Sequence, residues 1–221
     1  MATIHHLPVV KTARYLSAGG LSSNTEIVWI ALHGYGQNIH SYAKNFDTLT
    51  THSADFVLMP EGLNRFYWEG FGGKPVAGWM TSEDRENEIN DYLNYLEKLY
   101  ALWDENPDFK LAKKVLLGFS QGTATATRMM AKKSCHFDSL ILWAGPFAHD
   151  INWEDEGKPF FSSQNFIVIG SDDPFIQPDD VAKQEQFMSH TGVPYHMHKF
   201  NGKHELNHDV LMDIRNKILS K

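Results

Sequence analysis

Residues 113–130 read "KKVLLGFSQGTATATRMM", and this stretch decides the fold. An apolar run that reads as a buried strand ends in Gly118-Phe119-Ser120-Gln121-Gly122, and a helical stretch begins directly after it. The pattern G-x-S-x-G at a strand-to-helix junction is a nucleophile elbow. The turn is so tight that the serine backbone is strained, and glycines at 118 and 122 remove side chains that would press on neighbouring elements. Ser120 is thereby lifted above the sheet edge, beside a helix N-terminus. The free N–H groups and positive dipole end of that terminus suit a developing oxyanion. A Gly-flanked turn without chemistry is the plain alternative; the strand before and the helix after favour a nucleophile.

Outward from this junction, short apolar runs alternate with helical patterns. "EIVWIALHG" (26–34), "ADFVLMP" (54–60), "DSLILWAG" (138–145), "NFIVIGS" (165–171) and "YHMHKF" (195–200) are the other strand candidates. Residues 83–103 place Ile89, Tyr92, Leu93, Leu96, Leu99, Tyr100 and Trp103 at helical spacing, with Thr81 or Ser82 as the expected cap. Further helices are expected over 121–133, roughly 179–190 and 205–219. Strands apolar throughout and alternating with helices imply a mostly parallel sheet covered on both faces. Such sheets carry their sites at the carboxyl ends of the strands. The length suits one domain over 1–221.

Two stretches are long for connections. Residues 60–80, "PEGLNRFYWEGFGGKPVAGWM", and 145–163, "GPFAHDINWEDEGKPFFSS", are rich in glycine and aromatics and follow strands. Both are expected to wall a pocket, with Trp79, Phe66 and Trp68 contacting substrate. A small satellite core is the competing reading. Exposed parts of these loops could also serve a homodimer.

A serine nucleophile needs a base, an acid to orient the base, and donors for the oxyanion. One donor is expected from the N–H of Gln121 and the second from the loop "LHGYGQN" (32–38), at Tyr35. His33 in that loop reads as a core histidine as readily as a catalytic one. In the order Ser, acid, His, the strand "NFIVIG" ends in "SDDPFIQP", where Asp172 and Asp173 compete as the acid. His204 follows the last strand, in "NGKHELNHD", where the base is expected.

The same stretch contains HELNH, which matches the H-E-x-x-H pattern of zinc proteases. Zinc would need both histidines on one helix face and a third ligand beyond, yet no His or Glu follows His208. Glycine at 202 also places His204 in a loop. His196 and His198 alternate on a strand and share one face, the other pair that could meet a metal. No metal and no organic cofactor is expected.

The net charge of −7, with no basic run, argues against nucleic acid or an anionic membrane as the main partner. The single cysteine, Cys135, excludes a disulfide within the chain and a cysteine-based zinc site. The start "MATIHHLPVVK" lacks a long apolar run, so neither a secretory signal nor a membrane anchor is expected. No stretch is apolar enough to span a bilayer, and a reducing cytoplasm is the default location.

With "LHGYGQN", "VAGWM", "GFSQG", "GSDDPFIQP" and "GKHELN" in place, the chain resembles the phospholipase/carboxylesterase family of α/β-hydrolases, which includes the acyl-protein thioesterases. The resemblance implies a mostly parallel central sheet of about seven strands with helices on both faces. It implies that the acid is the Asp directly before a proline, hence Asp173 over Asp172. It maps the base to His204 and the oxyanion donors to Tyr35 and Gln121. The expected activity is hydrolysis of carboxylic ester or thioester bonds of small or acyl-chain substrates, through Ser120 and an acyl-enzyme. Acyl-protein thioesterase or lysophospholipase activity is the alternative. The first loop departs from the thioesterase-like L-H-G-L-G-D pattern, with Tyr35 and Gln37 in place of Leu and Asp. A non-catalytic binding module on the same fold is the remaining class.

Overall fold

The computed structural model describes residues 2–220. The first half of the chain forms β1 (Tyr15–Ala18), β2 (Ile27–Leu32), α1 (Ile39–Ala43), α2 (Asp47–Thr51), β3 (Asp55–Pro60), β4 (Asn64–Tyr67), β5 (Pro75–Gly78), α3 (Arg85–Asp104) and α4 (Pro107–Leu111). Next come β6 (Lys113–Phe119), α5 (Gln121–Lys132), β7 (Ser139–Trp143), α6 (Trp153–Glu156) and α7 (Lys158–Ser162). The chain then forms β8 (Gln164–Gly170), α8 (Pro178–Thr191), β9 (His196–Phe200) and α9 (His208–Leu219). A seven-stranded sheet runs in the order β1-β3-β2-β6-β7-β8-β9. Within this sheet, among the described residues, only β1 is antiparallel to its neighbour.

The strand side chains explain the layers. On β2, Val28, Ile30 and Leu32 enter one buried cluster while Ile27, Trp29 and Ala31 enter the other. Successive strand residues point to opposite faces, so a strand apolar at every position needs cover on both. α3, α5 and α8 cover the first face through residues such as Leu93, Met129 and Met188. α1, α2 and α9 cover the second through Tyr42, Leu49 and Ile214.

The six expected strands are β2, β3, β6, β7, β8 and β9. The seventh, β1, is a four-residue edge strand whose residues are only exposed or half-buried, so it has no apolar run to read. The 60–80 stretch is not irregular: β4 and β5 pair as a hairpin. The 145–163 stretch contains α6 and α7. Neither Thr81 nor Ser82 caps α3; the helix starts two residues later than expected, at Arg85, with Asp84 in the left-handed region at φ 51. Glu88 reaches back to accept the Thr81 N–H at 2.5 Å, which folds 81–84 into a turn ahead of the helix.

The segment after β7 is tied down by charge. Arg128 on α5 is 2% exposed, and its Nε donates to the Asp150 carboxylate at 3.0 Å. Its Nη1 donates to the Tyr92 hydroxyl on α3 at 3.0 Å, and Arg85 reaches Asp150 from the start of α3. Burial alone would raise the Asp150 carboxyl, but the hydrogen bonds and charge of Arg128, with help from Arg85, outweigh it and pull it down to about 2. A carboxyl that titrates lower when folded adds stability above its unfolded value and loses it as pH falls through the folded one. The unfolding free-energy gap between wild type and Asp150→Asn should therefore shrink by on the order of 2 kcal/mol between about pH 5 and pH 2. Urea unfolding across that range checks this; a gap independent of pH would show that the pairing does not hold the carboxyl down.

Candidate active site

Ser120 lies between β6 and α5 with φ 52 and ψ −118, a conformation that L residues rarely adopt. The glycines make it reachable. A Cβ at Gly118 would stand 2.3 Å from the Gly122 carbonyl oxygen, and one at Gly122 would stand 2.2 Å from that of Leu32. The Ser120 N–H donates to the Trp143 carbonyl at 2.9 Å, which fixes the strained residue to β7.

His204 sits in the turn after β9. Its Nδ1 donates to Oδ2 of Asp173 at 2.7 Å, and the Asp173 side chain is fully buried. The other carboxylate oxygen, Oδ1, accepts the Phe175 N–H at 2.9 Å. Asp172 is exposed, and its N–H is spent on the Gly202 carbonyl. Of the two competing acids, Asp173 is the one in contact with His204. The imidazole is packed between Phe119 and Phe175, with ring centroids 4.9 and 4.8 Å away. Ser120 and His204 line one cavity, but no hydrogen bond joins Ser120 Oγ to the ring among the described residues.

The loop after β2 closes over the serine. A Cβ at Gly34 would be 3.0 Å from that of Ser120. The Gly34 N–H donates to the Gln37 side chain at 2.6 Å and the Gly36 N–H to the Ala77 carbonyl at 2.9 Å. Between them, the Tyr35 N–H has no protein acceptor among the described residues. The N–H of Gln121, first residue of α5, is also unspent. Gln121 uses its side chain elsewhere: Oε1 accepts the Trp79 N–H at 3.0 Å and Nε2 donates to the Met80 carbonyl at 2.8 Å.

The cavity over Ser120 measures about 690 Å³ and is walled by Phe147, Ile167, Ile169, Phe175, Val181 and Phe187 among others. It therefore lies between the segment after β7 and α8. The expected wall over 145–163 is met by residues 145–149 only. The expected wall over 60–80 does not reach it, and none of Trp79, Phe66 and Trp68 lines it. Trp79 is buried, and its indole Nε1 donates to the His33 carbonyl at 2.7 Å beneath the loop after β2. Phe66 and Trp68 pack on the Tyr35 ring at 5.3 and 6.1 Å. Glycine at 36, with φ +69, leaves the room that Trp68 fills. Trp68 also borders a second cavity of about 520 Å³, with Gln37, Asn38 and Lys74. Aromatic composition marked the 60–80 hairpin, but its rings support the loop after β2 from outside. The wall on α8 was missed; its only sequence signal is the apolar spacing of Val181 and Phe187 after the Asp173 turn.

HELNH is split by the fold. His204 is in a turn, whereas His208 opens α9 behind its cap Asn207, so the two do not share a helix face. His204 is engaged by Asp173 and His208 by Thr48. The final helix thus begins three residues after the expected start.

The elbow, the sheet order and the placement of these loops at the strand ends define an α/β-hydrolase fold. A model described as phospholipase/carboxylesterase matches residues 21–220, and the chain belongs to that family, a family of hydrolases. No curated protein matches the chain in sequence. Among solved structures it is similar to acyl-protein thioesterase 2 of Zea mays, at 16% identity, TM-score 0.69, and coverage of 94% of this chain and 100% of that one. A carboxylesterase of Bacillus cereus is similar at 14% identity and TM-score 0.66, with 93% of each chain covered. A phospholipase/carboxylesterase of Dyadobacter fermentans is similar at 15% identity and TM-score 0.64, covering 96% of this chain and 99% of that one. At such identities the likeness shows the fold. No helix among the described residues is long and apolar enough to cross a membrane.

The burial of Asp173 and its contact with His204 generate a contrast between neighbouring acids. Asp173→Asn should lower ester turnover by about four orders of magnitude, because the imidazole loses its orienting carboxylate. Asp172→Asn should leave turnover within about threefold, as expected for an exposed group away from the site. Steady-state kinetics on the pair checks this, and equal losses would move the acid.

Proposed function

We propose that the protein hydrolyses carboxylic esters or thioesters of apolar acyl chains, with Ser120 as nucleophile, His204 as base and Asp173 as its orienting acid. The observation that carries this reading is the meeting of three features at one apolar cavity: the strained serine, a histidine already paired to a buried carboxylate, and Gln121, whose N–H is unspent.

In this reading the acyl chain lies between Phe147 and α8, with its carbonyl over Ser120. Ser120 Oγ attacks the carbonyl carbon as its proton passes to His204 Nε2; that hydrogen bond forms in the reacting complex. The carbonyl oxygen takes up negative charge and is received by the N–H groups of Tyr35 and Gln121, each contributing on the order of 3 kcal/mol in the transition state. The imidazolium, held by Asp173, returns the proton to the leaving alcohol or thiol as the carbon–oxygen or carbon–sulfur bond breaks. Water, deprotonated by the same imidazole, then attacks the acyl carbon, and the imidazolium returns the proton to Ser120 Oγ as its bond to the acyl group breaks, which releases the carboxylic acid. The chemistry uses no metal and no organic cofactor. The likeness to an acyl-protein thioesterase and to carboxylesterases supports both leaving groups, and lysophospholipids fall within the same acyl class. A reducing cytoplasm suits the lone Cys135, a buried thiol pushed up to about 12 by desolvation.

The experiment is hydrolysis of a p-nitrophenyl ester series from acetate to palmitate by wild type, Ser120→Ala and Val181→Trp. Turnover should depend on Ser120, and Val181→Trp should move the optimum to shorter chains by filling the cavity from α8. Wild-type turnover in Ser120→Ala would sink the mechanism. An unchanged optimum in Val181→Trp would place the acyl chain outside this cavity.

A further inference from the structure

His33 stands out because it is fully buried, titratable and unused by the mechanism above. Its ring nitrogens both face backbone. Nε2 lies 2.9 Å from the Gly62 nitrogen, and that N–H can only donate, so Nε2 must be an unprotonated acceptor. Nδ1 lies 2.7 Å from the Gly34 carbonyl oxygen, which can only accept, so Nδ1 must carry the proton. Both contacts demand the same neutral tautomer. Burial favours it as well: desolvation holds the imidazole below its ordinary value, although the Gly34 carbonyl and the Glu61 carboxylate pull the other way. Glu61 is itself paired with Arg14.

The Gly34 carbonyl belongs to the peptide that carries the Tyr35 N–H. In a trans peptide the C=O and N–H point in opposite directions. Holding the Gly34 oxygen on His33, in the interior, therefore turns the Tyr35 N–H away from the interior. The ring itself cannot swing. Trp79 lies against it at 5.0 Å and Tyr42 at 6.0 Å, and the Trp79 indole holds the His33 carbonyl.

We infer that His33 is a positioning residue, whose Nδ1–H fixes the Gly34–Tyr35 peptide so that the Tyr35 N–H is presented to the oxyanion formed at Ser120. This rests on the proposed role of Ser120. It separates His33 from the acyl cavity, so its removal should act on the transition state and not on substrate binding.

The test compares His33→Asn with His33→Gln. The Asn amide nitrogen can occupy the Nδ1 position and donate to Gly34; Gln reaches toward Gly62 and leaves the Gly34 carbonyl free. His33→Gln should lower kcat about tenfold to a hundredfold with KM within about threefold, less than the full loss of one oxyanion donor. His33→Asn should stay within about fivefold of wild type. A decyl trifluoromethyl ketone, which forms a tetrahedral oxyanion on serine, should lose affinity in His33→Gln by the same factor as kcat/KM. Decanoate, which fills the acyl cavity without forming that oxyanion, should bind all three proteins alike. The inference is overturned if Asn does no better than Gln, or if kcat falls while inhibition by the ketone is unchanged. Imidazole nitrogen-15 spectra of the wild type, which need no variant to fold, should show an Nδ1–H tautomer at His33; an Nε2–H tautomer overturns it equally. Turnover retained by Ser120→Ala would instead remove the underlying reading, and the inference with it.

Discussion

The site depends on one close approach, that of the α5 backbone to the backbone of β2 at Gly122. There is no room for even a methyl group between Gly122 and the Leu32 carbonyl, nor between Gly118 and Gly122. The approach forces the chain to turn within one residue, and Ser120 bears the turn at φ 52. Such a conformation costs on the order of 1–3 kcal/mol, offset by surrounding contacts that hold it. Those contacts are present: the Ser120 N–H is bound to Trp143, and its carbonyl accepts from both the backbone and the hydroxyl of Thr123. The same proximity extends to the loops. Gly34 on one side and Gly145 on the other lie so close to Ser120 that a Cβ on either would press on its atoms.

The features that read well from sequence share a physical property: each is encoded locally and redundantly. The five inner strands β2, β3, β6, β7 and β8 are buried at nearly every position, because both faces are covered. α3 buries Ile89, Tyr92, Leu93, Leu96, Leu99 and Tyr100 in a helical stripe. The elbow needs Gly118 and Gly122 for steric reasons that hold in any sequence. Strands β1 and β4 lack this redundancy, since their residues are exposed or only half-buried, and β5 is only four residues long. The start of α3 depended on the reach of Glu88, which no local capping pattern encodes.

The cavity was harder to read than the tight turn at Ser120. Composition shows that a segment carries aromatic rings, not which side of the sheet they face. The rings of 60–80 and those around 145–163 look alike in sequence. Phe147 and Phe187, on the cavity wall, stack with Trp153 and Phe160 behind them, with Trp153 4.9 Å from Phe160 and 5.1 Å from Phe187. Trp79, Phe66 and Trp68 gather under and beside the loop after β2. The choice between Asp172 and Asp173 was equally nonlocal. Both follow β8, and what separates them is that the chain buries one against His204, a residue 31 positions away.

The rings and backbone of the 75–80 segment have a structural consequence for the candidate oxyanion site. Its two N–H groups come from Tyr35, after β2, and Gln121, at the head of α5, which share no local structure. Both are tied to the same stretch of chain. On one side, the Gly36 N–H is bound to the Ala77 carbonyl and the Ala77 N–H to that of Gln37, while the Trp79 indole holds the carbonyl of His33. On the other, the Gln121 side chain grips the Trp79 N–H and the Met80 carbonyl. A shift of β5 would therefore carry the loop and the helix head together, preserving their spacing. Preorganised donors act by not having to move when charge develops. In the proposed reading the 75–80 segment would serve that end, because it is tied both to the loop that carries Tyr35 and to the helix head that carries Gln121.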